Sequence, residues 1–326
     1  LNTKEEVENY LARSRFLNNK AVIEPLTGGV SSAVWKIKTD YYSWVLKQAL
    51  EKLRVEAEWY SDITRIHREH EVLEALFSLL PEGTIPNVVH TDYVHHVYIM
   101  TSAEEGALTW KEVLMNGEFN KGHAVNAASL LRTLHEQSTN LREPDKVKFE
   151  DQTYFDQLRI APFHRHVGSR YPELAPFIED LIFELTHTKE CLVHGDFSPK
   201  NILLEKHNTV LIDFEVAHWG NPVFDAAFCL CHLMLKGWHL NKQKEALALI
   251  EIFLKTYVRK LHNLVPHLGL MLLARMDGKS PVAYIRQEEL KDRIRRVAKS
   301  WIQGKLNISD PLEMMEKAYS QSQMRY

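Results

Sequence analysis

Residues 191–215 read CLVHGDFSPKNILLEKHNTVLIDFE, with polar groups set between short apolar runs. Asp196, Asn201 and Asp213 offer hard oxygens of the kind Mg²⁺ prefers, and a carboxylate in a loop just past a strand end is placed to take a proton. Residues 191–193 read as a strand leading into the tight loop His194-Gly195-Asp196. Residues 201–205 and 209–213 read as two further strands around a three-residue turn, Lys206-His207-Asn208, with Asn208 suited to a left-handed position. That turn sets an expected register in which Glu205 faces Thr209, Leu203 faces Leu211 and Asn201 faces Asp213. Directly opposed side chains share a face of the ladder. Asn201 and Asp213 are therefore expected to converge as a metal pair beside Asp196, with Glu215, two residues further along the strand, as a third candidate ligand.

At these residues the chain resembles the aminoglycoside phosphotransferase and choline kinase-like superfamily. His194-Gly195-Asp196 followed by Asn201, and Asp213-Phe214-Glu215 twelve residues later, stand in the order and spacing of its two signature segments. The resemblance implies a protein-kinase-like fold with Asp196 as catalytic base and with Asn201 and Asp213 holding Mg²⁺ on ATP, the division of labour found in kinases. It also implies that Asp225, at the start of a helix, braces the catalytic loop, and that the His194 ring fixes that loop's backbone. Residues 46–54 and the Asp213-Phe214-Glu215 form look like methylthioribose kinase within the superfamily.

These groups need a second wall. Ahead of them the chain reads as a capped helix to about Phe16, with Thr3 and Glu6 forming a capping box. Short strands follow at 22–23, 33–37 and 44–47, with a glycine turn at the first corner. Glycines admit a close approach of ligand to backbone, so the amides of Gly28, Gly29, Ser31 and Ser32 are candidate phosphate contacts, similar to the superfamily's glycine-rich loop. Lys47 ends an apolar strand and resembles the lysine that meets the α and β phosphates. Residues 63–80 show helical periodicity, and the one acid on the apolar stripe is Glu69, which needs a buried cationic partner; Lys47 is the expected one. Strands at 86–89 and 96–100 lead to the expected interlobe hinge, where backbone groups of Thr101 to Ala103 would meet the adenine edge.

The remainder reads as scaffold. A helix is expected at 122–138, carrying His135 as a satisfied core histidine, then a polar loop at 141–152 and a helix at 172–188. After Asp225 helices are expected at 226–235, 242–261, 266–276, 280–285, 287–302 and 311–319, with Ser280 and Asp310 as caps before Pro281 and Pro311. Gly278-Lys279-Ser280 lacks the preceding strand and the first glycine of a phosphate-binding loop, and reads as helix capping.

The expectation is thus an α+β, two-lobed protein-kinase-like fold: a β-rich nucleotide-binding lobe over 1–101 and a helical catalytic lobe over 102–326, with ATP between them. The expected activity is transfer of the γ-phosphoryl of MgATP to a small-molecule hydroxyl, on a sugar, amino alcohol or aminoglycoside-like acceptor. Its rivals are a protein Ser/Thr kinase, disfavoured by His-Gly-Asp and the lack of an Ala-Pro-Glu segment, and a pseudokinase interaction module, disfavoured by intact Lys47, Asp196, Asn201 and Asp213. A net charge of −3 gives no basic excess for nucleic acid, no apolar run reaches membrane-spanning length, and three cysteines without CxxC spacing suit a reducing cytoplasm. Residues 251–305 hold twelve Lys and Arg against five acids, so the acceptor is expected to be neutral or anionic.

Overall fold

The computed structural model describes residues 1–17, 21–26, 31–54, 58–304 and 310–320. Thr3 caps helix α1 (Lys4–Arg13) in a reciprocal capping box with Glu6. Five strands then form one antiparallel sheet: β1 (Val22–Pro25), β2 (Ser32–Lys38), β3 (Ser43–Ala49), β4 (Val88–Asp92) and β5 (Val97–Thr101), in the order β1-β2-β3-β5-β4. Helix α2 (Arg65–Leu76) lies between β3 and β4 in the chain.

Alternation along β3 decides what each face carries. Leu46 joins Ile23, Trp35, Ile37, Val97 and Ile99 under Val7, Tyr10 and Leu11 of α1. Val45 and Ala49 belong to the other cluster, with Ile66, Leu73 and Leu76 of α2. Side chains two apart share a strand face, so Lys47, between Val45 and Ala49, points with them toward α2. Each fully buried aliphatic on α2 contributes about 1.5–3 kcal/mol, enough to hold the helix against the sheet at a fixed rotation.

The second part of the chain is mainly helical. It runs through β6 (Leu108–Thr109), α3 (Trp110–Met115), α4 (Lys121–Gln137), α5 (Glu143–Phe149), α6 (Thr153–Phe155), α7 (His166–Arg170) and α8 (Ala175–His187). Strands β7 (Cys191–Val193), β8 (Ile202–Leu204), β9 (Thr209–Leu211) and β10 (His218–Gly220) follow, then α9 (Val223–His239), α10 (Gln243–Tyr257), α11 (Leu264–Asp277), α12 (Glu288–Ile302) and α13 (Pro311–Ser320). Helix α9 is apolar nearly all round and is buried almost throughout, between α10 and α11. Among the described residues no helix is long and apolar enough to cross a membrane.

Three expectations are corrected. The polar run at 141–152 is not a loop: Pro144 in the first turn starts α5, and Phe149, fully buried under the Arg68 guanidinium, anchors it. No helix forms at 280–285. Helix α11 ends at Asp277, Gly278 closes it by donating to the Ala274 carbonyl at 2.8 Å, and Ser280 accepts from Arg275 instead of capping a new start. Residues 156–165 form a π-helical stretch around Pro162, which breaks regular α-helical bonding.

The third correction concerns the hairpin. Its pairs are Ile202 with Leu211, Leu203 with Val210 and Leu204 with Thr209, one residue off the expected register. The loop has four residues, closed by Glu205 N donating to Asn208 O at 3.0 Å, because the Glu205 carboxylate leaves the ladder to accept from Glu104 N at 2.8 Å. Asn208 is not left-handed; Asp213 is, at φ +77°.

Candidate active site

Asn201 is paired across the hairpin with Ile212, whose amide donates to its carbonyl at 3.1 Å, and not with Asp213. A slip of one residue would turn the Asp213 side chain to the opposite face. Its left-handed backbone bends it back. Oδ1 of Asp213 then meets Lys47 Nζ at 2.5 Å, and Oδ2 lies 3.9 Å from Lys200 Nζ. Lys47 also donates to both Glu69 oxygens, at 2.8 and 2.7 Å. The pairing of Lys47 with Glu69 is the one expected from the helical stripe of residues 63–80 and the need of a buried acid for a cation.

Two carboxylates thus share one buried ammonium. Burial opposes the charge on Lys47, yet Asp213 and Glu69 hold it well above its ordinary range. Burial also opposes ionisation of Asp213, but Lys47 and then Lys200 hold it below the usual carboxylate range. Glu69 is raised, because burial outweighs the pull of Lys47 on it. Glu215 is buried as well, with Oε2 accepting from Arg65 Nε at 3.0 Å. Arg65 in turn donates to the Ser31 and Leu50 carbonyls at 2.5 and 2.7 Å, tying the start of β2 and the end of β3 to the Asp213-Phe214-Glu215 segment. Three carboxylates, Glu69, Asp213 and Glu215, are thus balanced here by the buried Lys47 and Arg65 and the more exposed Lys200.

Asp196 sits on the loop between β7 and β8. Its Oδ2 accepts from Asn201 Nδ2 at 2.7 Å, and its Oδ1 is 2.9 Å from Arg159 Nη2. Arg159 also donates to Gly195 O at 2.8 Å. Behind the loop, Asp225 accepts from His194 N at 2.7 Å, Gly195 N at 2.8 Å and His135 Nε2 at 3.0 Å. The His135 Nδ1 is bonded by Tyr257 OH at 2.7 Å. Asp196 N donates to His194 Nδ1 at 3.1 Å, so the opposite nitrogen, Nε2, carries the hydrogen given to Ile212 O. Burial keeps His194 below its ordinary value, consistent with a neutral ring that links loop to hairpin. Gly195 adopts φ +76°, and a Cβ there would meet Val216 O at 2.8 Å.

Of the other expected contacts, Gly28 and Gly29 lie outside the described residues. Ser31 meets Arg65 through its carbonyl, and Ser32 is buried with no hydrogen-bond partner for Oγ. Thr101 ends β5, its Oγ1 accepting from Asn87 N at 2.9 Å, and the Ala103 carbonyl accepts from Ser102 Oγ. Among the described residues no three His, Cys, Asp or Glu side chains form a metal cage. Asn201 and Asp213 are a sparse oxygen pair of the kind that holds Mg²⁺ together with phosphate oxygens. Sequence reasoning missed Arg159, Arg65 and Lys200. The signal for Arg159 was a lone cation within the apolar run Leu158 to Phe163.

Residues 22–260 match the family described as the phosphotransferase enzyme family. The 4-hydroxytryptamine kinase of Psilocybe cubensis is 22% identical over 297 residues, covering 79% of this chain and 80% of its own length. Among solved structures, the amicoumacin kinase hAmiN in complex with AMP-PNP, Ca²⁺ and Ami superposes with a TM-score of 0.61 at 12% identity, covering 96% of this chain and all of that one. The macrolide 2'-phosphotransferase MphH from Brachybacterium faecium superposes at 0.53 with 14% identity, covering 99% of each chain. These likenesses show the protein-kinase-like fold.

Proposed function

Because the chain belongs to the phosphotransferase enzyme family, we propose that it moves the γ-phosphoryl group of ATP to a hydroxyl of a small molecule, with Asp196 as the group that receives the hydroxyl proton. The observation that carries this reading is the joint placement of two constellations: Lys47 held by Glu69 and Asp213, and Asp196 held by Asn201 and Arg159 on a loop fixed by Asp225.

In the proposed transfer, the acceptor oxygen bonds to the γ-phosphorus, the bond to the β-phosphate oxygen breaks, and the proton goes to Asp196. Asn201 and Arg159 orient Asp196 through one bond to each oxygen, leaving each oxygen further lone-pair capacity toward the hydroxyl. In this reading Lys47, held by its carboxylates, would meet the α and β phosphates, with Ser31 and Ser32 near them. The hinge backbone at Thr101 and Ala103 would receive the adenine. The hard oxygens fit a divalent cation: Asp213 and the Oδ1 of Asn201 would hold Mg²⁺, which when bound neutralises charge on the phosphates. Glu215 is occupied by Arg65, and in this reading it stabilises the sheet edge and supports the metal site only through its charge.

Sugars and amino alcohols are the acceptor classes first tested, a methylthioribose-type sugar among them. Transfer of label from [γ-³²P]ATP to a panel of such alcohols, with loss of transfer but not of nucleotide binding in Asp196→Asn, is the test. Label release only as inorganic phosphate across the panel would count against a small-molecule acceptor.

A further inference from the structure

Past the Arg159 that orients Asp196 lie further buried cations that the phosphoryl transfer described above does not use. The Arg159 guanidinium, bonded to Asp196, rests over the Phe163 ring at 5.7 Å and the Phe228 ring at 5.8 Å. Arg275 lies over Phe163 as well, at 5.7 Å, close enough to Asp196 for that charge to act on it. Its Nη1 donates to Ser280 at 3.2 Å, while Nε is buried without a partner.

Next to it stand two more donors. Lys236 projects from α9 with 1% of its surface exposed, and its ammonium has one long bond, 3.4 Å to the His232 carbonyl. It lies 5.7 Å from the centre of the Tyr284 ring, whose hydroxyl is buried and unpartnered. Among the described residues no carboxylate lies within ion-pair distance of Lys236 or Arg275, and Lys111 and Arg275 add positive charge around Lys236. Burial and that repulsion push the Lys236 ammonium down to about 7.

A buried cation without a counter-ion is costly, and proteins retain such groups where a ligand supplies the missing charge. Here two neighbouring cations and a phenol hydroxyl offer unused N–H and O–H groups, beside aromatic rings that carry Arg159 to Asp196. We propose that the alcohol phosphorylated by this enzyme carries an oxyanion, a carboxylate or phosphate, which Arg275, Lys236 and Tyr284 receive while the hydroxyl faces Asp196. This rests on the phosphotransferase reading and deepens it. The guanidinium suits a planar or tetrahedral oxyanion equally, and the same cations repel a polycationic acceptor.

The test is binding of inorganic phosphate and of acetate, by calorimetry at pH 7, to the full chain saturated with MgADP so that the nucleotide site is filled. The expected result is one saturable anion per chain. Arg275→Gln and Lys236→Met should each weaken it about tenfold or more, as for loss of a hydrogen bond to a charged group. MgADP affinity, unchanged in both variants, reports that they are folded; if Lys236→Met fails to fold, Arg275→Gln and Tyr284→Phe decide. No saturable binding, or binding indifferent to these substitutions, overturns the proposal while leaving the kinase reading intact. Failure of the wild type to bind MgADP would instead remove the reading on which it rests. A second arm compares ribose with ribose 5-phosphate, and glucose with gluconate, as phosphoryl acceptors. A higher kcat/KM for the phosphate or the carboxylate member identifies the oxyanion, and preference for the neutral member of both pairs refutes the idea.

Discussion

Replacing Lys47 by Met should destabilise the protein by about 3–5 kcal/mol, the usual cost of removing one partner from a buried ion pair. The reason is specific to this site. Glu69 is fully buried, and both its oxygens are bonded by the lysine, so the variant leaves a carboxylate with no counter-charge next to Asp213. Glu69→Gln alone should cost less, about 1–3 kcal/mol, because Lys47 keeps Asp213 at 2.5 Å. The double variant should be no less stable than Lys47→Met, a coupling of about 1–3 kcal/mol. A pH dependence follows with a definite sign. Glu69 holds its proton more tightly folded than unfolded, so the stability it contributes falls as pH rises above the ordinary carboxylate value of 4.5. Removing Lys47 extends that fall to higher pH, so the cost of Lys47→Met should be larger at pH 8 than at pH 6. In the double variant that slope should vanish. Urea unfolding followed by tryptophan fluorescence at the two pH values measures all four proteins. Losses additive to within about 0.5 kcal/mol, with no difference between pH 6 and 8, would refute the shared-ammonium argument.

Other perturbations test separate parts of the account. Lys236 loses its proton earlier folded than unfolded, from the ordinary 10.5 to about 7, so stability should rise with pH across that window. Lys236→Met should therefore be the more stable protein at pH 6, by an amount on the order of 3–5 kcal/mol, with the gain fading toward pH 10; equal melting temperatures at pH 6 would contradict this. Gly195→Ala places a Cβ 2.8 Å from Val216 O at φ +76°, and should cost about 1–3 kcal/mol and most of the activity; an unchanged thermal melt would mean the loop is not held as described. Asp213→Asn should lose nearly all turnover at any Mg²⁺ concentration. Asn201→Ala should recover only partly at raised Mg²⁺, because Asn201 also bonds Asp196 at 2.7 Å. Full rescue of Asn201→Ala would show that its bond to Asp196 is dispensable.

The parts of the site legible in the sequence were those set by local periodicity. A 3.6-residue repeat put Glu69 on the buried stripe of α2, and its need of a cation pointed to Lys47 at the end of an apolar strand; in the structure Lys47 lies on the strand face that the helix covers, and the two meet. The brace from Asp225 to the His194 and Gly195 amides came from the resemblance, and the structure has those bonds. The hairpin register was not legible, because a polar run of four residues closes equally well as a three- or four-residue loop. The deciding contact is long-range, from the Glu205 carboxylate to the Glu104 amide. Arg159 and Arg65 were hidden for the same reason. Each sits in a stretch whose local pattern is helical, and their partners Asp196 and Glu215 lie far along the chain. Ser280 was misread because Gly278 ends α11 and Arg275 takes the serine hydroxyl, a competition that capping rules alone do not resolve.

The central claim is that Asp196 meets the acceptor hydroxyl while Lys47 and Asp213 serve the nucleotide. The measurement that tests it most directly is single-turnover transfer of label from [γ-³²P]ATP to an alcohol substrate, run beside MgADP affinity, for wild type, Asp196→Asn and Lys47→Met. The expected result is a split: Asp196→Asn loses transfer by two orders of magnitude or more, on the order of 10²–10⁴ for a general base, at undiminished MgADP affinity, whereas Lys47→Met loses both. Transfer by Asp196→Asn at the wild-type rate, or a loss of nucleotide affinity in that variant matching Lys47→Met, would contradict the assignment.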